Sequence, residues 1–208
     1  MNALVFVKIW RQACSCCSRP KKKGVRVGGA AEVSAVVSSL RAQPDDPTAI
    51  HRFCTILKGL SVNRGNQVIA VRDGVLPVLV TLLRTPHLEK HSPLMLPLIC
   101  ELISSFVDEN PDHQTAAAQA FVIEALLDVV ATARDSDALH ASSIATAGCK
   151  ALWATIFDFP PNQELAVRKG AIPVMVALLL PSNTRPVRTS AAATTPSSDD
   201  IVGEQTKE

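Results

Sequence analysis

The chain has no tyrosine, two tryptophans and six phenylalanines in 208 residues. So few rings leave little to stack on unpaired bases. No acidic residue occurs in 1–31, which hold Lys8, Arg11, Arg19, Lys21, Lys22, Lys23 and Arg26. The remainder carries 14 basic and 19 acidic residues, a balance of −5. A mildly acidic body behind a basic front is not the basic platform that nucleic acid requires. Long apolar runs are also missing. "AIPVMVALLLP" falls far short of the ~20 residues of a membrane span. No secretory signal is present, because Lys8 interrupts "ALVFV" too early for an apolar core. Without one, the six cysteines imply a reduced, cytoplasmic setting and not a disulfide framework.

Catalytic and metal constellations are lacking as well. "CSCC", with Cys14, Cys16 and Cys17, has no second Cys or His pair at zinc-ligand spacing. Cys54, Cys100 and Cys149 fall within apolar helical patterns and read as packed thiols. His51 lies three residues from Cys54, yet no orienting acid accompanies them. His87 and His91 flank Glu89 in "TPHLEKHSP", a proline-bounded loop and not a zinc helix. Gly28-Gly29 is not followed by the GK[ST] ending of a phosphate loop. These absences predict a chain that is not an enzyme and needs no cofactor or metal.

What is present is a repeat. "NQVIAVRDGVLPVLVTLL" begins at Asn66 and "NQELAVRKGAIPVMVALL" at Asn162, 96 residues on, with 11 of 18 positions identical. A third copy lies between, "HQTAAAQAFVIEALLDVV", beginning at His113. Gln67, Gln114 and Gln163 stand in register, as do Ala70, Ala117 and Ala166. The middle copy has Phe121 and Glu124 where the others have Gly and Pro. A period in the forties without strand alternation is the mark of a helical solenoid. With 47% apolar residues, the chain can bury a core.

Each unit has a local logic. "NQVIAVRD" forms a short helix with Ile69 and Ala70 inward. Gly74 ends it, since a helix C-terminus favours a residue at positive φ. Pro77 lies in the first turn of the next helix, where its missing N–H costs little. "VLVTLL" is apolar nearly all round, as befits a helix between neighbours. A longer helix precedes each copy: "TAIHRFCTILKGLSV" (48–62), "PLMLPLICELISSFV" (93–107) and "ASSIATAGCKALWATIF" (141–157). Pro97 delays or kinks the second. "GGAAEVSAVVSSLRAQPDD" (28–46) reads as one more unit, entered at Gly29. The spacing predicts helices at about 67–72, 76–84, 93–107, 113–119, 122–132, 140–157, 162–168 and 172–180, with no sheet.

A short helix, Gly, two residues, Pro, an apolar helix and a long helix containing "ALW" resembles the armadillo repeat. "GCKALWATIFDFPPNQELAVRKGAIPVMVALL" and "NRGNQVIAVRDGVLPVLVTLL" carry most of the likeness, which covers roughly 28–180. The resemblance implies an all-α, right-handed superhelix of three to four units. It also implies a concave groove, lined by the long helices, that binds peptides or proteins. In importin-alpha-type members the long helix presents a Trp and, four residues on, an Asn. The corresponding positions here are Leu57, Ser104 and Trp153, then Ser61, Asp108 and Phe157. One Trp and no Asn remain, so the groove does not match an import receptor.

The domain reading is an irregular basic segment (1–27), a repeat domain (28–181) and a disordered polar tail (182–208). The expected function is a non-catalytic scaffold or adaptor. Its candidate partner-binding residues are Arg52, Lys58, Glu101, Lys150 and Trp153. Trp153 admits two readings, groove contact or core packing. An alternative function is a membrane-attached adaptor, held by S-acylation of Cys14, Cys16 and Cys17 beside the polybasic "KKK". At the other end, Ile172, Val176 and Leu179 are expected to pack inward. Val174, Ala177, Leu178 and Leu180 would then lack cover, leaving a face open to self-association.

Overall fold

The computed structural model describes residues 29–85, 88, 94–133 and 138–179. These residues form ten helices and no strand. In chain order they are α1 (Ala30–Ala42), α2 (Pro47–Leu60), α3 (Arg64–Arg72), α4 (Val75–Arg84) and α5 (Met95–Val107). They continue with α6 (Pro111–Gln119), α7 (Val122–Ala133), α8 (Ala138–Ile156), α9 (Pro160–Arg168) and α10 (Ala171–Leu179).

All eight predicted helices are present, but the short ones start earlier than expected. α3, α6 and α9 were placed at 67, 113 and 162 from the repeated string; they begin at Arg64, Pro111 and Pro160. The start is set by capping chemistry outside that string. Asn63 Oδ1 accepts from the Gly65 N–H at 2.8 Å, and Asn110 Oδ1 accepts from those of Asp112 and His113. Pro111 and Pro160 occupy the first helical turn, where no N–H is missed. Asp46 does the same for α2, accepting from Thr48 and Ala49 ahead of Pro47. α5 begins at Met95, with Pro97 tolerated in its first turn.

The turn inside each unit is left-handed at a single residue. Gly74 has φ 82° and Gly170 φ 89°. Phe121, which replaces glycine in the middle copy, adopts φ 60°. The bend is preserved across that substitution: α3 meets α4 at 72° and α6 meets α7 at 73°. The residue after each turn enters the core, and Val75, Val122 and Ala171 are all buried. Gly29 does not share this geometry. It caps α1 from extended backbone, with φ −73° and ψ 166°.

That register fixes the face of α10 and corrects the expectation for it. Ala171 and Met175 are buried, and Val174 and Leu178 pack against the core. Val176 and Leu179 are the exposed ones, at 46% and 83%. The inward stripe is therefore 171, 174, 175 and 178, the three-and-four spacing that starts directly after Gly170.

Helices of each kind stack on their own kind. The long helices run α2, α5, α8; the apolar ones α1, α4, α7, α10; the short ones α3, α6, α9. Between the long and apolar rows lies one continuous core, with Leu40, Leu57, Leu79, Ile103, Phe106 and Ile123 fully buried.

Candidate functional site

The outward side of the long helices is the surface to which the sequence points. On α8, Thr146 and Lys150 are exposed, and Trp153 and Phe157 follow along the same face, half-buried. The two rings are in tilted contact, with centroids 4.8 Å apart and planes at 44°. α8 packs directly on α5, and α5 on α2. Lys58 of α2 donates to Glu101 Oε2 of α5, bridging the two helices. Both side chains are half exposed, so the pair adds only about 0–1 kcal/mol. It pairs two of the residues expected to bind a partner, so neither charge stands alone on this face.

The structure thus brings Lys58 together with Glu101, and sets Lys150 one turn before Trp153. Arg52 is exposed too. It stands six residues before Lys58, about 120° away around α2 at 3.6 residues per turn, and so lies off that face. The face is mixed in charge, with one aromatic pair toward its α8 end. At the positions corresponding to Trp153, Leu57 is buried and Ser104 half-buried. At those corresponding to Phe157, Ser61 is buried and Asp108 half-buried. Among these corresponding positions, only those at the end of α8 carry aromatic rings.

Beneath this face runs a device that the sequence displayed without explaining. Of the six polar residues that open the three repeated strings, all but Gln114 reach back to the end of the preceding long helix. Asn66 Nδ2 donates to Leu60 O at 3.1 Å, and Gln67 Nε2 to Ser61 O at 2.7 Å. His113 Nδ1 lies 2.6 Å from Phe106 O, a contact that makes this nitrogen the N–H. Asn162 Nδ2 donates to Thr155 O and to Gln114 O, and Gln163 Nε2 to Ile156 O. Gln114 reaches forward instead, donating to Ala154 O and Phe157 O. The last carbonyls of a helix have no partner within it. Here side chains from the neighbouring unit serve them: amides at the ends of α2 and α8, and the His113 ring at the end of α5. Gln67, Gln114 and Gln163 stood in register in the sequence; the carbonyls they serve were not visible there.

Two of the described thiols, Cys54 and Cys100, are buried. Burial pushes Cys54 and Cys100 up to about 12, so neither ionises near neutrality. Cys149, half-buried, sits with its sulfur 4.0 Å from that of Met175. His51 is exposed on α2. Among the described residues no three His, Cys, Asp or Glu side chains are grouped to hold a metal ion. No single described helix is long and apolar enough to cross a membrane. Cys14, Cys16, Cys17, His87, Glu89, His91, Leu180 and the segments 1–27 and 182–208 lie outside the described residues.

No family model matches the chain, and neither does any curated protein or solved structure.

Proposed function

We propose that the chain is a non-catalytic interaction module, an armadillo-type solenoid that holds a peptide or protein partner along α2, α5 and α8. The observation that carries this reading is the half-buried Trp153–Phe157 pair, one turn beyond Lys150 on the outward face of α8. Aromatic anchors at the edge of a packed core dominate many interfaces, because they bury large area at small entropic cost. The row-on-row stacking of three helix classes supports the solenoid. The mixed charge of the face favours a partner anchored by an apolar side chain over one recognised by acidity alone. The raised thiol pKa of Cys54 and Cys100 supports a non-catalytic role for both.

Selection from a displayed random-peptide library against the purified chain tests the reading. Peptides enriched on the wild type should be lost on Trp153→Ala and weakened on Lys150→Glu. The half-buried ring should cost Trp153→Ala about 2 kcal/mol of stability, roughly half the loss for a core aromatic. Enriched peptides indifferent to both substitutions would move the site off α8. The cysteine cluster beside "KKK" supports a second role, attachment of this module to a membrane. Hydroxylamine-sensitive fatty-acid labelling, abolished by replacing Cys14, Cys16 and Cys17 with serine, is the expected result.

A further inference from the structure

α10 and α4 are near copies in sequence and differ in surroundings. Leu76, Val80 and Leu83 of α4 are 1%, 6% and 8% exposed, covered by α5 and α7. Their counterparts in α10 are Ile172, half-buried, Val176 at 46% and Leu179 at 83%. α10 rests on α7 and α9. On α9, Val167 is 41% exposed and adds to the apolar surface at this end.

We propose that this surface is a contact between two copies of the chain, related by a two-fold axis. α10 carries no ionisable side chain, so two copies meet along it without like-charge repulsion. The flank is self-complementary. Glu164, Val167 and Arg168 share about 100° of α9 at 3.6 residues per turn, and both charged residues are exposed. A two-fold axis sets Glu164 of one copy against Arg168 of the other. A head-to-tail arrangement fits poorly, because the exposed residues of α1 include the polar Glu32, Ser38 and Arg41 and no large apolar side chain. The stretch 181–208 holds Val187, Ile201 and Val202 as its only large apolar residues. It supplies no helix-long stripe to lie on α10.

Light scattering of the eluting full-length chain, over a wide concentration range, tests this. The wild type should pass from one-chain to two-chain mass as concentration rises. Val176→Asp with Leu179→Asp should stay at one-chain mass with an unchanged far-ultraviolet circular dichroism spectrum. Glu164→Arg should weaken the dimer, and adding Arg168→Glu should restore it. A wild type of one-chain mass at every concentration overturns the proposal. So does a dimer that survives Val176→Asp with Leu179→Asp. A dimer indifferent to Glu164→Arg overturns the two-fold arrangement.

Discussion

Phe121 holds a left-handed conformation that its Cβ disfavours by about 1–2 kcal/mol. The residue is 57% exposed, so its ring returns little packing energy. Phe121→Gly should therefore stabilise the protein by about 1 kcal/mol in chemical denaturation. The reverse substitution is informative at Gly170. An added Cβ there would meet only Pro173 Cγ at 3.8 Å, an ordinary contact. Gly170→Val should still cost about 2–3 kcal/mol, through the backbone alone. A neutral result would mean that the turn relaxes. Asp73 offers a test by pH. The Ser34 hydroxyl, then Arg72, hold its carboxyl below the usual carboxylate range. A lowered folded value means that the unfolded chain binds the proton more readily. Its contribution is thus full above the unfolded value near ~4 and is lost as pH falls through the folded one. Asp73→Asn should flatten the acid limb of stability against pH and leave its alkaline side unchanged in shape.

Two contacts decide how neighbouring elements lock. Asn162 is 2% exposed and donates to carbonyls from α6 and α8 at once. Asn162→Ala removes the buried donor shared by the Thr155 and Gln114 carbonyls and should cost about 1–3 kcal/mol. Gly148, in α8, packs against α7 so closely that a Cβ would lie 2.7 Å from Val130 Cγ2. Alanine gains about 1 kcal/mol of helix propensity, but overpacking costs about 1–3 kcal/mol. Gly148→Ala should therefore be destabilising alone and stabilising in a Val130→Ala background, a reversal that a double-mutant cycle would read directly. Neither contact was legible in the sequence. Helix type and order were, because apolar spacing and the Gly-x-x-Pro turns are local signals. Starts were misread where the cap, as with Asn63 and Asn110, stood outside the repeated string. The inward face of α10 was misassigned because that choice depends on the backbone angle at Gly170.

At the scale of the molecule, the repeat was legible and the surface was not. Similar strings imply similar helices, whereas exposure depends on what stacks beside each one. Lys58 and Glu101 were both expected among the partner-binding residues, and the structure ties one to the other, 43 positions apart. The same reasoning separates two helices of almost one sequence. α4 is held on several sides, while α10 is held on one face. Amides in a helix covered all round exchange only through extensive opening; those in a half-covered helix exchange through local fraying. In dilute solution, α10 amides should exchange on the order of a hundredfold or more faster than those of α4. The segments 75–83 and 171–179 share five of nine residues and differ elsewhere by similar small or apolar ones, so the expected difference follows chiefly from what stacks beside each helix. Raising the protein concentration should slow α10 and leave α4 unchanged, because a second copy would cover only the former. Equal protection of the two helices in dilute solution would mean that α10 is already covered within a single chain. The open face on which both the exchange difference and the dimer depend would then not exist.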